Sequence, residues 1–190
     1  MEFIDDNTIR LDKEINELDR FTLDFIRIIE KHVKYVVISG YVAILFGRSR
    51  GTEDIDMFIH KLDRNKFNFL YEDLATHGYE CITASEDDAY DNLTDNIPIR
   101  FSRRNNFIPN IEVKFAKMPL DIQSLNENLK VITSYGEVRV SHIEQQIAFK
   151  EVCLKSDKDI EDALHLRYVF KEKLDERKIK HFKMVFEDVL

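Results

Sequence analysis

Between Tyr35 and Ile59 the chain runs through an apolar stretch, a glycine turn, a second apolar stretch and a strict alternation of acid or polar with apolar residues. No other segment constrains the fold as much. Tyr35-Val-Val-Ile38 predicts a buried strand, and Ser39-Gly40 predicts a turn. Tyr41 to Phe46 is apolar with good helix formers, and Gly47 stops that helix. Arg48 to Thr52 is a polar loop. Asp54 to Ile59 then alternates, which predicts a strand with two different faces. Strand, helix and strand in such close succession predict an α/β (α+β) architecture.

The rest of the chain fits that class. Residues 7 to 33 carry Ile15, Leu18, Leu23, Ile26 and Ile29 near helical spacing, which predicts one long amphipathic helix. Helices are predicted over 63–77 and 121–128, with an acidic helix or loop over 85–95. Strands are predicted over 79–83, 97–102 and 111–116, with a hairpin around Tyr135-Gly136. Ser141-His-Ile-Glu144 has the form of a capping box and predicts a helix to about Leu154, and two more helices follow. Three parts result: an N-terminal helix (1–34), an α/β catalytic part (35–140) and a helical bundle (141–190).

Composition excludes several classes. With 44% hydrophobic residues and only 5 glycines and 3 prolines in 190 residues, the chain has the means to bury a core. A net charge of −8 argues against a sequence-blind binder of duplex nucleic acid, which needs a basic footprint. Cys81 and Cys153 have no zinc-spaced neighbours and read as two reduced thiols of a cytoplasmic protein. No signal-peptide pattern opens the chain, and its longest apolar run is too short to span a bilayer.

The chemistry concentrates in one stretch. Asp54 and Asp56 sit two apart on a strand and so share a face, with Ile55 and Met57 on the other. Adjacent carboxylates repel unless a cation lies between them, and hard oxygens at this spacing suit Mg²⁺ or Mn²⁺. Gly40 lets the backbone approach a ligand closely where a strand enters a helix, and the Ser39 hydroxyl can add a phosphate contact. Arg48 and Arg50 bring positive charge to the same loop. An anion site and a metal site side by side are what phosphoryl or nucleotidyl transfer requires. The alternative is a strand with two exposed acids behind a structural turn.

The stretch resembles the nucleotidyltransferase superfamily related to DNA polymerase β. Gly47, Arg50, Thr52, Asp54 and Asp56 match that family's Gly-x-x-Arg-x-Thr-x-Asp-h-Asp signature, while the turn is Ser39-Gly40 where the family has Gly-Gly or Gly-Ser. The resemblance implies a third carboxylate on a neighbouring strand. Glu112, in Asn110-Ile-Glu-Val-Lys-Phe115, is the candidate, and it would join Asp54 and Asp56 as a metal ligand and act as general base. A second stretch, Lys150 with Asp159 and Asp162, resembles the helical region of AbiEii-type toxins. There Lys150 would contact the triphosphate and Asp159 would orient it or act in catalysis, with helix-dipole pairing as the plainer part for Asp157 and Asp159.

The resemblance implies transfer of a nucleoside monophosphate from a nucleoside triphosphate, ATP among them, to an acceptor hydroxyl on RNA or protein. Ser39, Gly40, Arg50, Thr52 and Lys150 would bind the nucleotide. A toxin–antitoxin setting with a cognate antitoxin partner, and a silent nucleotide-binding fold, are the alternatives. Arg100, Arg103, Arg104, Lys114 and Lys117 read either as a phosphate-facing surface or as a solvated hairpin. The acids of 86–95 read as a solvated face.

Overall fold

The structure, a computed structural model, describes residues 1–188. Among them the chain forms β1 (Glu2–Asp5), β2 (Thr8–Arg10), α1 (Glu17–Ile29), β3 (Tyr35–Ile38), α2 (Gly40–Leu45), β4 (Asp54–Ile59), α3 (Arg64–Thr76), β5 (Tyr79–Cys81), α4 (Glu86–Thr94), β6 (Ile99–Arg103), β7 (Asn110–Phe115), α5 (Pro119–Asn126), β8 (Asn128–Ile132), β9 (Glu137–Ser141), α6 (Ile143–Phe149), a π-helical turn (Lys150–Leu154), α7 (Asp157–Phe170) and α8 (Glu176–Glu187).

The strands make one mixed sheet in the order β1-β2-β8-β9-β3-β4-β7-β6-β5. β4 lies in its interior, antiparallel to β3 and parallel to β7, and β6 runs antiparallel to β7. The alternation of β4 sets its two faces as expected. Ile55, Met57 and Ile59 are fully buried and join Ile111, Val113 and Phe115 of β7 in the main core, where α1 and α3 also pack. The other face carries Asp54, Asp56 and Phe58. At its far end Phe58 packs with Val36, Ile38, Ala116 and Leu125, the last of these from α5. The near end, with the acids, is left less covered. The acids of α4 are exposed, as expected.

The long helix over 7–33 is not formed. Thr8–Arg10 pairs in parallel with β8, and Ile9 is wholly buried there. Helix α1 starts only after Asn16, whose side chain accepts from the Asp19 amide while Asp19 accepts from the Asn16 amide. This reciprocal cap fixes the start, and the strand pairing of the preceding residues satisfies backbone groups that a longer helix would have to take over. The sheet correspondingly gains β1 and β2 beyond the strands predicted from the sequence.

The capping box at Ser141 is not formed either. Ser141 ends β9, its hydroxyl accepts from Gln146, and α6 opens behind His142 with no side-chain cap. Glu144 instead accepts from the Asp175 amide ahead of α8. The helix expected to run to Leu154 is α-helical only to Phe149 and widens into the π-helical turn. Among the described residues no helix is long and apolar enough to cross a membrane.

Candidate active site

Four residues stand in register across the sheet: Ile38 on β3, Asp56 on β4, Glu112 on β7 and Arg100 on β6. Residues directly opposite one another share a face, so the Asp56 and Glu112 side chains are neighbours. Asp54, two residues earlier, lies on the same face in register with Asn110. The three carboxylates singled out in the sequence are thus brought to one edge of one face. Thr52 fixes the approach to β4, with Oγ1 3.0 Å from the Asp54 carbonyl and 3.4 Å from Asp54 Oδ1.

Cations already stand among these acids. Lys114, the next residue along β7 on the same face, places Nζ 3.1 Å from Asp56 Oδ1 and 2.6 Å from Glu112 Oε1. Arg100 Nε donates to Glu112 Oε2 over 2.8 Å. Burial pushes the Glu112 carboxyl up, but hydrogen bonds from Lys114 and Arg100 outweigh it and hold the group below its ordinary range. Burial raises Asp56, Lys114 opposes, and the neighbouring Glu112 and Asp54 add to the rise, which leaves Asp56 above the usual carboxylate value. Lys114 is lowered by burial and raised by Asp56 and Glu112, with a net rise that keeps the ammonium charged. Much of the basic group is therefore already paired, though Arg104 is exposed and the rest half-exposed. Arg100 and Lys114 serve the acids, and Arg103 pairs with Asp24 at 3.1 Å.

The turn that precedes α2 is built on a strained residue. Ser39 has φ 64°, its amide donates to Gln146 Oε1 over 3.1 Å, and its hydroxyl makes no cap bond to α2. Gly40 makes a close approach. A Cβ there would lie 2.2 Å from Arg50 Nη2 and 3.2 Å from its Cζ. Arg50 is fixed in that place by a two-pronged contact with Asp162, Nε to Oδ1 and Nη2 to Oδ2, each 3.0 Å.

The same Asp162 binds Lys150, whose Nζ lies 2.9 Å from Oδ2 and 3.3 Å from Asp159 Oδ1. Lys150 and Asp162 are both 0% exposed. Lys150 was expected to reach into a cleft and meet the triphosphate. Its ammonium lies instead inside a buried ion cluster that ties the loop after α2 to α7. Burial raises the Asp162 carboxyl, and Arg50 and Lys150 more than reverse it, so the group is held low. Asp159 also accepts from Ser156 at the start of α7.

The fold recurs in solved structures. No protein-family model matches the chain, and no curated protein matches its sequence. An antigenic nucleotidyltransferase-like protein from Paracoccidioides brasiliensis superposes with a TM-score of 0.51 at 14% identity, covering 90% of this chain and 88% of the other. The lincomycin-bound lincosamide antibiotic adenylyltransferase LnuA gives 0.51 at 13% identity over 83% and 99%. The antibiotic-resistance factor ANT(2'')-Ia gives 0.53 at 14% identity over 90% and 93%. The chain has a nucleotidyltransferase-like fold.

On that nucleotidyltransferase-like fold the donor set matches a hard divalent ion in chemistry: three carboxylates on adjacent strands, beside an Asn110 Oδ1 that is buried without a hydrogen-bond partner. The side chains as they stand do not close on an ion. Among the described residues no group of three or more His, Cys, Asp or Glu is placed to hold a metal. The Lys114 ammonium stands between Asp56 and Glu112.

Lys114 and Arg100 were readable in the sequence only as part of a basic group. The signal for a closer part was Glu112-Val-Lys114, an acid and a base two apart on one strand. Gln146, which holds the Ser39 amide from the far side of the chain, left no such signal.

Proposed function

We propose that the protein is a metal-dependent nucleotidyltransferase. It transfers a nucleoside monophosphate from a nucleoside triphosphate to an acceptor hydroxyl. The acceptor oxygen bonds to the α-phosphorus, the bond to the bridging α–β oxygen breaks, pyrophosphate leaves with that electron pair, and the proton of the hydroxyl passes to solvent water. The observation that carries the reading is the in-register pair Asp56–Glu112 with Asp54 two residues away, on one face of this fold.

Asp54 and Asp56 would hold Mg²⁺ or Mn²⁺, with Glu112 beside them. The ion would supply charge for the phosphate oxygens in the transition state. Glu112 has both oxygens engaged by cations and a lowered pKa, conditions that weaken it as a general base. We assign it the part of anchoring Lys114 and Arg100. Ser39 and Gly40 bring the turn to the nucleotide phosphates, Thr52 orients Asp54, and Arg50 adds positive charge at the turn. Lys150 and Asp159 support this loop from behind.

An open cavity of about 720 Å³, lined among others by Phe21, Ile44, Arg50, Thr52, Arg103 and Pro109, lies next to Thr52. It is of a size that takes a nucleotide or a small acceptor. Two structural neighbours carry antibiotic names, so small hydroxylated molecules are acceptors to test ahead of RNA and protein. A toxin part with a cognate antitoxin rests on the sequence resemblance alone, and a cytoplasmic setting on the reading of Cys81 and Cys153 as reduced thiols.

The test is pyrophosphate release with Mg²⁺ and each nucleoside triphosphate over a panel of such acceptors, for wild type and Asp56→Asn. Release by wild type and its loss by a factor of at least about 10³ in the variant is expected, because a ligand of the ion that neutralises the phosphates is removed. Equal release by both would overturn the proposal.

A further inference from the structure

The acids and bases of the site do not balance as a row of carboxylates awaiting two ions would. Asp54, Asp56 and Glu112 bring three negative charges, and Lys114 and Arg100 return two positive ones within hydrogen-bond distance of Asp56 and Glu112. Glu112 has no oxygen left without a cation. Asp54 is contacted by the Thr52 hydroxyl alone among these groups. Two-metal sites place their ions about 3.5–4 Å apart, bridged by shared carboxylates. Lys114 Nζ occupies the bridging position between Asp56 and Glu112. A divalent ion entering there would face both an ammonium and a guanidinium at close range.

We infer that Lys114 is a tethered cation of this site, standing where a second metal ion would otherwise be shared by Asp56 and Glu112, so that one divalent ion binds, through Asp54 and Asp56. The inference rests on the metal-dependent reading above and deepens it. Lys114 becomes a positioning residue that sets the stoichiometry of the site. Arg100 keeps Glu112 turned toward it. The positive charge of Lys114 is fixed by covalent attachment to β7, so it is present before any nucleotide arrives and needs no ion from solution.

The experiment counts ions. Mn²⁺ alone is titrated into the protein, and free Mn²⁺ is read by electron paramagnetic resonance. Wild type is expected to bind one Mn²⁺ per chain, lost in Asp54→Asn. Lys114→Gln is expected to bind two, and the added change Glu112→Gln is expected to return it to one. Lys114→Met serves as a second neutral variant, and circular dichroism confirms that each is folded. Two ions in wild type, or one in both Lys114 variants, would overturn the inference while leaving metal binding intact. No Mn²⁺ bound by any of the proteins would overturn the metal-dependent reading and this inference with it.

Discussion

Arg50 stands where a side chain on Gly40 would stand, with Nη2 2.2 Å from the ideal Cβ position. The guanidinium cannot simply swing away, because both its prongs are committed to the buried Asp162. The glycine of the turn is thus explained by a neighbouring side chain as well as by any ligand. Gly40→Ala is expected to push Arg50 off Asp162. Helix propensity offers about 1 kcal/mol in return, against about 3–5 kcal/mol for breaking a buried pair, so a net loss of about 2–4 kcal/mol is expected. Denaturant midpoints for Gly40→Ala, Arg50→Ala and the double variant check it. The double variant should lose less than the sum of the singles.

Lys150 offers a choice between two parts. A lysine that only meets phosphates can be replaced at little cost in stability. A lysine buried between Asp159 and Asp162 cannot, because its loss leaves carboxylates buried without enough partners. Lys150→Met is expected to lower unfolding free energy by about 3–5 kcal/mol. Unchanged stability with lost nucleotide affinity would favour the phosphate-binding part implied by the resemblance.

The helical end of the chain makes stability depend on acid. Burial raises the Glu151 carboxyl, but hydrogen bonds from Arg167 and Lys183 pull it below its ordinary value. A carboxyl held low in the folded state gives stability that is fully present above its unfolded pKa of about 4.3 and is lost as pH falls through the folded value. Urea midpoints measured from pH 7 downward should fall below about pH 4, and Glu151→Gln should be less stable at pH 7 with a shallower fall.

The N-terminal residues are part of the sheet. Ile9 is wholly buried between β1 and β8 pairings. Ile9→Ala is expected to cost about 2–5 kcal/mol in a chemical denaturation experiment, as for other buried aliphatic truncations. A cost within about 0.5 kcal/mol, typical of a solvated surface position, would contradict the strand assignment.

What was legible in the sequence was local. The two faces of β4 follow from the alternation Asp54-Ile-Asp-Met-Phe-Ile59, and the acid candidates on it share a face for the same reason. The strand–turn–helix ahead of it is equally local, with the Gly47 stop at φ 96°. Glu112 was placed beside Asp56 only through a resemblance, and the pairing itself is a long-range fact of the β4–β7 ladder. The misreadings share one cause. The sequence places Ile9 and Ser141 in local helical parts, while their ladder partners Val131 and Asn128 both lie on β8. The burial of Lys150 leaves no local signal, since the carboxylates that neutralise it lie one helix further on and Arg50, which shares Asp162 with it, is about a hundred residues earlier in the chain.

The central claim is that Asp54 and Asp56 bind a metal ion together with a nucleoside triphosphate. Calorimetric titration with each of the four ribonucleoside triphosphates, in Mg²⁺ and in EDTA, tests it on wild type and on the double variant Asp54→Ala/Asp56→Ala. Binding of at least one nucleotide in Mg²⁺, lost in EDTA and lost in the double variant, is the predicted result. Binding that is indifferent to both EDTA and the two substitutions, or no binding of any nucleotide, would contradict the account.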